Sequence, residues 1–185
     1  MPDPVERDLV SYLETALRSA LLAERWPKSG LDVVITILDG EEEAAYVSNL
    51  AARDWGFMNV LSGCINVASA AIADAGVDCI DLIAANAAVS IVQRDATRPS
   101  FLLDPCPSDG DVIQDLCVVA YSQARDEVTL VWTRTETPLI NGRSHNTVQT
   151  EDLLNNAIEA ASAVRLVIVD AVKEGIRNRT LSNRT

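Results

Sequence analysis

The sequence predicts an α/β two-layer sandwich, a mixed β-sheet with helices packed on it. Three observations point there. Segments near both ends repeat apolar residues at helical spacing. A middle stretch from Phe57 to Ala73 carries no ionisable side chain other than the Cys64 thiol, the mark of a helix covered nearly all round. Between this helix and the last one lie short β-branched runs broken by turn residues. The order is helix, strand, helix, three or four strands, helix, without strict βαβ alternation.

Asp3, Pro4 and Glu6 form a helix start: an acceptor cap, a proline in the first turn and a capping-box glutamate. Val5, Leu9, Leu13, Leu17, Ala20 and Leu21 then keep one face, and Pro27 and Gly30 end the helix. Leu31 to Leu38 alternates Val33, Ile35 and Ile37 against Asp32, Val34 and Thr36, which predicts a strand. Asp39 to Gly56 breaks every period and is expected to be a loop. The second helix is expected over Phe57 to Ala75 with Gly76 as its stop. Its small-residue side, Gly63, Ala68, Ala71 and Ala75, is expected to sit against the sheet. Cys79–Val92, Pro99–Leu103 and Val112–Tyr121 are extended, and Gln123–Asp126 turns the chain into Glu127–Arg134. Thr150 is expected to cap the last helix, with Glu151 and Asp152 in its positive first turn. One side of that helix carries Leu154, Ile158, Ala161, Arg165, Ile168 and Val172.

A chain of 185 residues is long enough for one sizeable core, so residues 1–178 read as a single domain and 179–185 as a polar tail. With 15 Lys plus Arg against 27 Asp plus Glu, the net charge is −12. A free-standing nucleic-acid binder carries the opposite balance, so contact with RNA is expected to be weak or indirect, and an anionic membrane is an equally poor partner. Cys64, Cys79, Cys106 and Cys117 form no C-x-x-C pair and His145 is the only histidine, so neither metal nor cofactor is expected. Met1-Pro2-Asp3 opens no apolar signal region, and reduced cysteines in apolar runs fit an intracellular setting.

Four stretches in order resemble the RNase PH superfamily. They are Arg25-Trp26-Pro27-Lys28-Ser29-Gly30-Leu31-Asp32-Val33, Leu38-Asp39-Gly40, Cys64 to Gly76, and Asp115-Leu116-Cys117-Val118-Val119. Trp26-Pro27-Lys28-Ser29-Gly30, Gly40-Glu41-Glu42 and Asn59 to Cys64 in combination are most similar to a fungal branch that supplies ring subunits of the RNA exosome. The resemblance implies an RNase PH-like fold, of the ribosomal-protein-S5-domain-2-like type. It spans about Glu6 to Arg177 and aligns with the C-terminal two-thirds of the family domain, so the family's first strands are expected to be absent.

The resemblance also implies where chemistry would sit. Active members hold phosphate with G-G-T-R-[ST]-A at the start of the central helix, an anion on an N-terminal nest. Here Val60 stands at the threonine position and Leu61 at the arginine position, and only Ser62 survives. Asp115 matches the family's general acid; it is either a structural carboxylate, a relic of ancestral geometry, or a live acid. No catalytic residue is therefore assigned. The resemblance implies a non-catalytic subunit supporting 3′-to-5′ RNA processing and degradation. Its expected partners are other RNase PH-like subunits in a heteromeric hexameric ring and S1-type or KH-type cap proteins, and its expected location is the nucleus, nucleolus and cytoplasm. The competing readings are an active phosphate-dependent 3′-to-5′ exoribonuclease and an acidic protein-binding module outside any exosome. His145 reads as a loop residue and Glu41-Glu42-Glu43 as a solvated run. Ser62, Ser69 and Asp74 have no histidine nearby for a hydrolase triad.

Overall fold

Pro4 opens helix α1 (Pro4–Arg18), where its missing N–H costs nothing and its fixed φ suits the first turn. The computed structural model describes residues 4–38, 50–92, 100–105, 112–135 and 147–182. Helix α1 ends at Arg18, earlier than Pro27, because its continuation is tied elsewhere. The Leu22 amide donates to the Asp78 carbonyl at 3.0 Å, the Ile80 amide to that of Ala20 at 2.8 Å, and Leu21 bridges Cys79. A short 3₁₀ turn, Ala23–Arg25, follows.

Residues 31–38 do not form the expected strand. A strand needs a neighbour for its N–H and C=O groups; among the described residues none lies alongside, and Val34 and Leu38 are 89% and 93% exposed. Of the expected loop Asp39–Gly56, residues 39–49 lie outside the described residues. The rest is helix: α2 spans Leu50–Asp74, seven residues ahead of Phe57. Leu50, Ala51, Ala52 and Arg53 favour helix, and Gly56 costs only about 1 kcal/mol inside it. Gly76, at φ +72°, stops α2 as expected. Its amide bonds Ala73 O and the Val77 amide bonds Ile72 O, at 3.1 and 3.2 Å, the paired bonds of a Schellman motif.

Strands β1 (Ile83–Val92), β2 (Ser100–Leu103), β3 (Val112–Ser122) and β4 (Glu127–Thr135) form one sheet in the order β2-β1-β3-β4. The turn Gln123–Asp126 joins β3 to β4 as predicted, with Asp126 in the left-handed region at φ +51°. Helix α3, Thr147–Ser182, starts three residues before Thr150 and runs for 36 residues.

The α/β architecture is the expected one, and two details differ. Every described pairing is antiparallel, where a mixed sheet was expected. Neighbours in the sheet alternate in direction; β2 and β3, consecutive in the chain, flank β1 on opposite sides and both run against it. Helices also cover both faces. Ile83, Ala85, Ala87, Val89 and Ile91 of β1 and Leu116, Val118 and Ala120 of β3 pack against α1 and α2. The alternate residues Ala88, Cys117 and Val119 pack against Leu153 and Ala157 of α3. Central strands apolar on both faces require two covers.

On α2 the buried stripe is Met58, Leu61, Ile65, Ala68 and Ile72. Only Ala68 of the expected small-residue seam belongs to it; Gly63, Ala71 and Ala75 are exposed. Residues 63, 67 and 71 repeat every four positions on the opposite side, so Val67 is exposed too. By length and composition Gly56–Asp74 could cross a membrane, but its inward stripe is buried against the sheet. Phe57 joins three elements, edge-on to Tyr12 at 6.0 Å and tilted against Trp132 of β4 at 5.5 Å.

One polar contact completes the sheet. β2 pairs with β1 from Ala88 to Ile91, and among the described residues no strand lies beside the first half of β1 on that side. There the Asn66 side chain of α2 accepts from the Ala85 amide at 2.7 Å and donates to the Ala85 carbonyl at 3.0 Å.

Candidate functional site

Asp115 sits where the β1–β3 ladder slips. Ser90 pairs with Asp115 but Ile91 with Ile113, so Gln114 is the extra residue of a bulge. Both partners are buried, Ser90 at 1% and Asp115 at 6% exposure. The Ser90 hydroxyl donates to Asp115 Oδ2 at 3.0 Å and accepts from the Asp115 amide at 3.1 Å. One serine thus satisfies part of the carboxylate and a backbone N–H that the bulge leaves out of step. Strand alternation places Asp115 on the same face as Cys117 and Val119, toward α3. The Cys117 thiol is pushed up to about 12, first by burial and then by the charge of Asp115.

Val60, Leu61 and Ser62 lie in the third and fourth turns of α2. Amides at these positions are bonded to carbonyls four residues back, whereas an anion nest needs the free N–H groups of a helix start. Leu61 is fully buried in the core formed with α1 and the sheet. The Ser62 hydroxyl donates to the Asn59 carbonyl at 3.1 Å. The sheet lies between Leu61 and Asp115, the two positions where the resemblance implied chemistry. Leu61 packs on the face toward α1 and α2, and Asp115 turns toward α3.

A second polar cluster escaped the sequence reading. Asp81, just before β1, accepts at Oδ1 from Arg165 Nε at 3.1 Å and Nη2 at 2.6 Å. Its Oδ2 accepts from the Ala124 amide at 2.8 Å and the Ser122 hydroxyl at 3.3 Å. Arg165 Nη1 also reaches Gln123 Oε1 at 3.3 Å. The cluster locks α3 to the β3–β4 turn. Burial alone would raise the Asp81 carboxyl, but the amides of Ala124 and Leu82 and the Arg165 guanidinium together hold it below its ordinary value. The available signal was Arg165 itself, a charge within an otherwise apolar helix stripe, which demands a partner.

Of the other residues considered, Ser69 is buried in α2. Asp74 is paired with Arg179 near the end of α3, Nη1 to Oδ2 at 2.7 Å, and this pairing lowers its carboxyl. Cys64, Cys79 and Cys117 are free thiols. His145, Cys106 and Glu41-Glu42-Glu43 lie outside the described residues. Among the described residues no three His, Cys, Asp or Glu side chains are grouped to hold a metal.

Residues 1–78 match the model of the 3′ exoribonuclease family, domain 1, known as RNase PH. The chain is 43% identical over 174 residues, 94% of its length, to exosome complex component MTR3 of Chaetomium thermophilum, and spans 59% of that protein. It is 28% identical over 131 residues, 70% of its length, to exosome complex component mtr3 of Schizosaccharomyces pombe, and spans 44% of it. The fold resembles the crystal structure of rice (Oryza sativa) Rrp46 with a TM-score of 0.53 at 16% identity, covering 96% of this chain and 68% of that one. The chain is RNase PH-like in fold, and its residues 1–78 are similar to domain 1 of the 3′ exoribonuclease family.

Proposed function

We propose that this chain is a non-catalytic building block of an RNA exosome ring, supporting 3′-to-5′ RNA processing and degradation without cleaving RNA itself. The observation that carries the reading is its 43% identity, across 94% of its length, to an exosome component. Three features support the absence of catalysis. Val60 and Leu61 stand where active relatives of the family place threonine and arginine. Positions 60–62 lie inside a helix, not at its start. The retained acid, Asp115, is tied to Ser90 on the other side of the sheet. In this reading Asp115 is a structural carboxylate and no residue is catalytic.

The partners are other RNase PH-like subunits of a heteromeric hexameric ring, with S1-type or KH-type proteins as the cap. A net charge of −12 suits docking between basic neighbours better than gripping RNA, so contact with the threaded strand is weak or indirect. The expected location is the nucleus, nucleolus and cytoplasm. The test is co-expression of the chain with RNase PH-like subunits from the same source. A stoichiometric ring, better solubility than the chain alone, and no phosphate-dependent shortening of poly(A) by the chain are the expected results. A chain that stays outside every ring, or that shortens poly(A) by itself when phosphate is supplied, would overturn the proposal.

A further inference from the structure

We draw no further inference here: the strongest candidate, the outward patch of Leu166 and Val167 midway along α3, 60% and 70% exposed, is an unpartnered helix face, and nothing in the structure shows what covers it.

Discussion

The hydroxyl of Ser90 holds Asp115 twice, donating to its carboxylate and accepting from its amide, at the one bulge between β1 and β3. A carboxylate held in this way has a structural role that does not depend on substrate. Asp115→Ala should take this acceptor from the buried Ser90 O–H, leaving only the backbone amide bond, and lower stability by about 1–3 kcal/mol. Any RNA-degrading activity of the assembled ring should be unchanged. Denaturant melts of the chain and a degradation assay on the ring report the two effects separately. Lost activity with intact stability would make Asp115 a catalytic acid.

Placing arginine at position 61, where the resembled family has it, should not create a phosphate site. Leu61→Arg places a guanidinium at a fully buried position among Met58 and Ile65. An unpaired buried charge should cost at least about 3 kcal/mol, enough to unfold a marginal domain. Circular dichroism melting is the measurement. A folded variant that binds inorganic phosphate would show that the start of the site is still in place.

The two sides of α2 should respond differently to added bulk. Ala68 is 1% exposed within the inward stripe, so Ala68→Leu should overpack the core and cost about 1–3 kcal/mol. Ala71→Leu, on the exposed side, should stay within about 0.5 kcal/mol of neutral. Comparing the two melting shifts checks the rotation of the helix directly.

This is also where the sequence was most misleading. Alanine and glycine say little about which side of a helix is inward, because both sides of α2 carry them. The larger residues Met58, Leu61, Ile65 and Ile72 mark the inward stripe more clearly. The hairpin turn, the stop at Gly76 and the amphipathic α1 were legible because each depends on residues adjacent in the chain. Leu31–Leu38 was misread because strand formation depends on a neighbour that local pattern cannot supply. In the candidate site, Val60 and Leu61 could be read only as departures from the pattern of the family that the sequence resembles. The link from Asp81 to Arg165, 84 positions apart, could only be inferred as a need of Arg165.

That link should make part of the acid stability depend on the Asp81–Arg165 pair. The folded-state pKa of Asp81 lies below its unfolded value of about 3.9. The pair therefore contributes fully above about pH 4 and fades as pH falls through the lower, folded value. Arg165→Ala should cost about 3 kcal/mol at pH 7, the low end for a buried pair because solvent reaches part of the guanidinium. It should also flatten the loss of stability below pH 4. Urea melts from pH 7 to pH 2 of wild type and variant test both parts; parallel curves would mean that the pair is not the source.

Thiol labelling should rank the described cysteines by burial. At pH 8, Cys79, partly exposed, should react with iodoacetamide first. Cys117, pushed up to about 12, should react only on unfolding. Peptide mapping by mass spectrometry resolves the sites, and fast native labelling of Cys117 would contradict its position beneath α3.

Just after its first residue strand β1 reads Ala84-Ala85-Asn86-Ala87-Ala88, and packing of these small side chains gives that segment little means of telling one alignment from another. Between Ala85 and Ala87 a slide of two residues exchanges alanine for alanine on the face toward α1 and α2, so this segment contributes less to alignment than Ile83, Val89 and Ile91 do. The paired bonds between Asn66 and Ala85 cannot be kept through such a slide, since both must break together. Asn66 therefore acts as an index pin: it adds information about alignment in the segment where the core side chains are smallest.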